Sequence, residues 1–350
     1  MATDTGVMEE PPHHPINDIV VLYPPTEDPS PQTLANTVVL LACFTAGIAG
    51  NTSQLALQLY TNRFSMSRKM EHSQYYIALL HIVYFFISIA LPSIIIENLV
   101  KMWMFGMVTC ASHFILVTSG RAVIGWILVF IVVDQIIFSD FWKCLNRINL
   151  RRVFYASLVF LAVFAILIVA PSLLYIKIIV YDEYTHISNF RIETYSCSTL
   201  LPKQVSFYSN SFALAFDYII PILLVIVLFT IYLGKASKRR SHSSYSHQWK
   251  INAYIVLLTF FHFLAYLPHW TAILLLFVAE NWSIHIPDWV LVVLQQLVLL
   301  LPHLTAALAW LPLSNLSALL ADRSRRLYNE SYNRLLRPRR QNTWMETSGF

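Results

Sequence analysis

The sequence predicts an all-α membrane protein: a bundle of seven transmembrane helices followed by a short amphipathic eighth helix. Three observations predict it. Of 350 residues, 57% are hydrophobic and only 12% are charged, against about 25% charged in an ordinary soluble domain. Seven continuous apolar runs each reach the ~20 residues that crossing a bilayer requires. Basic residues gather in alternate gaps between those runs, the pattern of cytoplasmic loops. The same composition excludes disorder and a disulfide scaffold, since the chain has only four Cys.

The runs fall at 34–59, 74–96, 107–133, 153–176, 209–233, 251–279 and 286–313. Each must be helical, because a lone segment in lipid has to satisfy its own backbone. None shows the alternation of about ten residues that marks a barrel strand. Residues 1–33 read as an extracellular tail with six acids (Asp4, Glu9, Glu10, Asp18, Glu27, Asp28) and no Lys or Arg. Lacking a basic n-region, the tail is not expected to lead into a cleaved signal peptide. Residues 34–313 form the seven-helix domain, and 314–350 a cytoplasmic basic tail. The gaps 60–73, 138–152 and 234–250 and that last tail hold nineteen Lys and Arg. The N-tail and the remaining gaps hold four: Lys101, Lys177, Arg191 and Lys203. This asymmetry predicts a plasma-membrane protein with its N-terminus outside and its C-terminus inside. Beyond Asn315, the residues Leu316, Leu319, Leu320 and Leu327 interleave with Arg323, Arg325 and Arg326. They read as a helix lying on the membrane, its arginines toward lipid phosphates. Lys235, Lys238, Arg239 and Arg240 open the third inner loop, beside candidate kinase sites at Ser241, Ser243, Ser244 and Ser246.

Several ordered landmarks stand on these runs. Trp103-Met-Phe105-Gly106 precedes Cys110, and Asp134-Gln135-Ile136 starts 24 residues after that Cys. Gly50-Asn51 lies in the first run, Pro221 in the fifth, Ala265-Tyr266-Leu267-Pro268 in the sixth and Leu311-Pro312-Leu313-Ser314-Asn315 in the seventh. In this set the chain, over about residues 34–328, resembles a divergent rhodopsin-like G-protein-coupled receptor, of the kind orphan and virus-encoded receptors represent. The resemblance implies a disulfide between Cys110 and Cys197. It implies coupling and activation roles for Asp134, Gln135, Pro268, Pro312 and Asn315, and a heterotrimeric G-protein as partner. It also implies tight interhelical contact at Gly50-Asn51. The departures are as specific. Gln135 and Ile136 replace the Arg and Tyr of the family's triplet, Phe229 replaces a Tyr in the fifth helix, and Asn315 replaces the last Tyr of the seventh. Tyr84, Ile124 and Leu311 fall where the family holds sodium, so no site for a hard, oxygen-seeking cation is expected.

Ionisable groups inside a bilayer are functional candidates by default. In a fold of this kind Arg121 and Asp217 would meet at the floor of a ligand cavity. Three roles stay open: a buried ion pair of the site, an arginine that binds an anionic ligand group, or a purely structural pair. His262, Tyr266, His269 and Trp270 share one helical face. Of these, Tyr266, His269 and Trp270 are candidate ligand contacts, and His262 reads as packing. Gln295 and its neighbour Gln296 line the outer end of the seventh helix. The outer face holds twelve acids against four bases, which favours a basic peptide or small protein as ligand. Tyr23 is a candidate for sulfation, and Asn281-Trp282-Ser283 for a glycan. Asn51-Thr-Ser, inside a span, should stay unmodified.

Two functions follow: a receptor that signals through G-proteins, or a receptor-shaped protein that does not couple, such as a decoy, a scavenger or a partner subunit. An intramembrane enzyme is not expected. His81, His113, His262, His269 and His303 lack metal-ligand spacing, and no G-x-S-x-G occurs. No cofactor, metal or nucleic acid is implied; lipid is.

Overall fold

The computed structural model describes residues 20–22, 28–64, 72–138, 150–185, 190–236, 243–282 and 287–336. The acids of the tail other than Asp28, together with Tyr23, Cys144, Lys238, Arg239, Arg240, Ser241 and Ser283, lie outside the described residues.

In chain order, a short strand β1 (Val20–Leu22) precedes helix α1 (Pro31–Phe64). The second span is α2 (His72–Ile89) with α3 (Leu91–Val100), the third is α4 (Gly106–Phe138) and the fourth is α5 (Leu150–Tyr175). Strands β2 (Ile176–Thr185) and β3 (Phe190–Thr199) follow. The fifth span is α6 (Lys203–Ala213), a π-helical turn (Leu214–Ile219) and α7 (Ile220–Ala236). The sixth is α8 (Ser243–Trp282); α9 (Asp288–Leu308) and α10 (Trp310–Leu336) complete the chain. Seven of these stretches are long and apolar enough to cross a membrane, and each overlaps one of the predicted runs. Their burial pattern departs from that of a soluble protein on the outside and at a few polar positions within. Val38, Ile166, Leu223, Val227 and Phe260 are exposed, while Asn51, His81, Gln135, Asp217, His269 and Arg323 are buried. The chain is a multi-pass membrane protein: apolar side chains cover its outside as well as filling its core, and buried polar side chains meet one another inside.

The core lies between the second, third, sixth and seventh spans, where Ile77, Leu80, Ile124, Ile127, Ile131, Ile255 and Leu316 pack together. Gly50 lets the first span approach the seventh: a Cβ built there would sit 2.2 Å from the Trp310 ring. Asn51 ties the same contact by donating to the Gly47 and Ala306 carbonyls at 2.9 and 3.3 Å, while its Oδ1 lies 3.0 Å from Nδ1 of buried His81. The expected close contact at Gly50-Asn51 is therefore made, with His81 as an added partner.

One end of the bundle is covered by a small sheet, built partly from the connection between the fourth and fifth spans. β2 and β3 pair antiparallel from Ile176↔Thr199 to Thr185↔Phe190, and β1 pairs parallel with β3, giving the order β1-β3-β2. The strands are rich in β-branched and aromatic residues that suit a pleated surface. Cys197 of β3 bonds to Cys110 of α4 across a separation of 87 residues, the pairing that the resemblance implied. Trp103 buries itself against this bridge, and its backbone N–H donates to the Tyr195 carbonyl at 2.7 Å. Gly106 has φ of +72°, a conformation open to glycine at little cost, and its carbonyl accepts from Trp103 Nε1 at 3.0 Å.

At the opposite end, α10 runs unbroken from Trp310 to Leu336. The amphipathic segment is thus a continuation of the last membrane helix. Arg325 and Arg326 are exposed as expected, and Arg326 pairs with Asp322 at 2.9 Å. Arg323 departs from the expectation. It does not face lipid phosphates but is buried, donating at 2.5 Å to Oε1 of Gln135. The reason is helical spacing: Leu316, Leu320 and Arg323 share one stripe, and that stripe faces the core.

Gly50→Ala should lower stability by about 1–3 kcal/mol through overpacking, and Trp310→Ala in the same chain should return part of the loss. Thermal unfolding of the purified protein in detergent checks both. Equal losses with and without Trp310 would show that the close approach is not what the glycine serves.

Candidate functional site

Two polar clusters interrupt the apolar bundle. The first lies in its disulfide half, about 16 Å along α4 from Cys110. Arg121 of α4 and Asp217 of the π-helical turn face each other with Nε–Oδ2 at 3.9 Å, their side chains 17% and 1% exposed. The π turn accompanies Pro221. Proline cannot donate to the carbonyl four residues earlier, which here is Asp217's own. Gly125 lies against that freed carbonyl, since a Cβ there would come within 3.1 Å of it. Trp126 Nε1 donates to the neighbouring Phe216 carbonyl at 3.0 Å. The wide turn is thus clamped against α4, with the Asp217 carboxylate buried in the bundle.

The sixth span supplies the rest. Arg121 Nη1 donates to His269 Nε2 at 3.1 Å, and its guanidinium carbon lies 5.1 Å from the Trp270 ring centre, within cation–π range. Tyr266 and Thr305 of α9 share a hydrogen bond of 2.9 Å, joining the sixth span to the seventh. Pro268 deprives the Leu264 carbonyl of its amide partner, and Tyr218 of the π turn donates to the adjacent Phe263 carbonyl at 3.0 Å. The structure therefore brings Arg121, Asp217, His269 and Trp270 together, with Tyr266 one turn away. Gln295 is exposed on α9, whereas Gln296 is half-buried. The His262 ring lies 4.8 Å from that of Tyr266, tilted by 46°, and His262 lines an apolar cavity of about 490 Å³ with Tyr84, Leu128 and Pro312.

At 3.9 Å the pair attracts without a hydrogen bond, and neither oxygen of Asp217 accepts one from a protein donor. An ionised carboxylate can accept about four. Arg121, the more exposed partner, is turned toward His269 and Trp270. Chemically, the cluster offers a carboxylate with unused acceptors beside an arginine held by an aromatic face.

The second cluster lies at the other end. Ser73 of α2 bonds Asp134; Gln135 Nε2 donates to Ser73 Oγ at 2.6 Å, and Arg323 donates to Gln135 Oε1 at 2.5 Å. Tyr232 and Asn252 are also buried there and line, with Gln135, a void of only about 10 Å³. Pro312 offers its carbonyl to Tyr254 at 3.0 Å, while Asn315 is exposed. Ser73, Tyr232 and Arg323 were not singled out by the sequence for this place. A hydroxyl is absent at Phe229 but returns one turn later at Tyr232, and Arg323 falls seven residues after Leu316 on its apolar stripe. Those two spacings were the available signals. Asn281 ends the sixth helix, with Ser283 of its sequon outside the described residues. Among the described residues, no three His, Cys, Asp or Glu gather as a metal site.

Replacing Asp217 with Leu should leave Arg121 facing a buried site without a counter-charge and cost about 3–5 kcal/mol. The Arg121→Leu, Asp217→Leu double variant should cost less than Asp217→Leu alone. Chemical or thermal unfolding of the wild type, Arg121→Leu, Asp217→Leu and the double variant gives the coupling, and strict additivity of the single losses would mean that the two side chains do not act as a pair.

No protein-family model matches the chain. It is 25% identical over 320 residues to a probable G-protein coupled receptor of Caenorhabditis elegans, an alignment spanning 89% of this chain and 72% of that protein. The seven apolar helices, the bridge from the third of them to the β-hairpin and this similarity agree on a fold like that of a G-protein-coupled receptor.

Proposed function

We propose that this protein is a plasma-membrane receptor that binds an extracellular ligand, a basic peptide or small protein, and relays that binding to heterotrimeric G-proteins. The disulfide end is extracellular and the end of α10 is cytoplasmic. The observation that carries the reading is Asp217, a buried carboxylate with no protein hydrogen-bond donor. It lies on the turn that links the third, fifth and sixth spans. A cationic ligand group can supply those donors, and the acidic outer face concentrates such ligands. Tyr266 and Thr305 then connect the sixth and seventh spans beneath it. Asn281 is the glycan site of the outer face in this arrangement.

A second reading is favoured by one residue. Gln135 stands where the triplet's arginine would reach a G-protein, so a protein that captures ligand without coupling also fits.

A panel of basic peptides applied to cells that express the protein tests the first reading. A peptide that activates G-protein should lose roughly 10- to 100-fold in potency with Asp217→Asn, the equivalent of a charged hydrogen bond at about 1.5–3 kcal/mol, at unchanged surface expression. Undiminished potency in that variant would remove Asp217 from the binding site. Peptide uptake with no G-protein activation in the wild type, and activation appearing in Gln135→Arg, would establish the second reading instead. Orientation has its own check: an N-terminal epitope should be stained on intact cells and a C-terminal one only after permeabilisation.

A further inference from the structure

We propose that Arg323 supplies, from the C-terminal helix, a cation to the uncharged position Gln135 of the third span, and that its bond to Gln135 is a latch holding the cytoplasmic end of the bundle shut. The inference rests on the receptor reading for its consequence in signalling, but the latch itself is a matter of geometry.

Four side chains from three helices form one directed chain: Arg323 of α10, Gln135 of α4, Ser73 of α2 and Asp134 of α4. The direction is fixed by chemistry. A guanidinium only donates and an ionised carboxylate only accepts. Gln135 must therefore present its oxygen to Arg323 and its amide nitrogen to Ser73. Ser73 in turn passes its hydrogen to Asp134. Every bond points the same way, so each polarises the next. Gln135, Ser73 and Arg323 are 1%, 0% and 4% exposed, which removes the competition from water that makes exposed pairs weak.

This gives the residue at 135 a specific requirement. It must accept from one neighbour and donate to another, and glutamine does both. An arginine there could not accept from Arg323 and would set two cations against each other. Gln135 and Arg323 are therefore one paired arrangement, in which the positive charge enters from α10. Among the described residues, the space beside it is narrow. The void lined by Gln135, Tyr232 and Asn252 is about 10 Å³, no more than one water needs, and Leu316 and Leu320 seal α10 to the same core. Among the described residues, Arg323 must withdraw from Gln135 before the third span can part from α10 at this point. The exposed face of α10, where Asp322 and Arg326 pair, leaves the helix free to be pulled from outside.

The test is a charge transposition read by hydrogen exchange of the purified full-length protein. Arg323→Ala should raise exchange at least tenfold in α10 beyond Leu320 and in the first turns of α8, and leave the disulfide end unchanged. Gln135→Arg alone should do the same by repulsion. The double variant Gln135→Arg, Arg323→Gln restores a cation facing an amide and should recover most of the protection. Recovery in that double variant also guards against Arg323→Ala acting through misfolding, because both side chains are then changed and only the arrangement of donor and acceptor is kept. Wild-type exchange in Arg323→Ala, or a double variant as open as Gln135→Arg, would overturn the latch. Restored protection in the double variant together with G-protein silence in every variant would uphold the latch and overturn the coupling reading.

Discussion

Hydrocarbon surrounds this fold, and a polar side chain inside it has no water to fall back on. The described polar clusters answer that constraint in different ways. At the first span, Asn51 uses its amide fully, reaching two carbonyls and His81. At the α10 end, four side chains complete a chain from cation to anion. At Asp217 the answer is partial: the charge is balanced by Arg121, yet its oxygens accept nothing from the protein.

The membrane spans were legible because run length and composition suffice to find them, and the disulfide was legible through the residues flanking Cys110. Asp217 and Arg121 could be singled out as the charges inside the spans, and they do meet. What could not be read was contact between distant helices. The arginines after Asn315 look alike in composition, but only Arg323 falls on the stripe of Leu316 and Leu320, and its partner lies 188 residues away. Likewise Phe229 announced a missing hydroxyl, while Tyr232 placed one a turn lower, where only the packing of α7 against α4 and α8 reveals its use. The β-hairpin was passed over because its alternating, strand-like pattern sits in a connection between two strong helical signals.

Proline and glycine give the site its shape more than its charged groups do. Pro221 goes with the wide turn that carries Asp217, Gly125 lets α4 come up to the carbonyl which that proline leaves free, and Pro268 opens the carbonyl region that Tyr218 reaches. Each removes a backbone hydrogen bond or a side chain, and each absence is used by a named neighbour. The chemistry of the pair is therefore inherited from backbone irregularity, which a tally of charged residues in the spans would miss.

The small sheet at the disulfide end has a mechanical consequence. β1 is laced to β3, β3 carries Cys197, and Cys197 is bonded to the first turns of α4. The N-terminal segment is thus coupled in series to the helix that holds both Arg121 and Gln135. Displacing β1 would therefore load three paired positions and one covalent bridge before it reached the third helix.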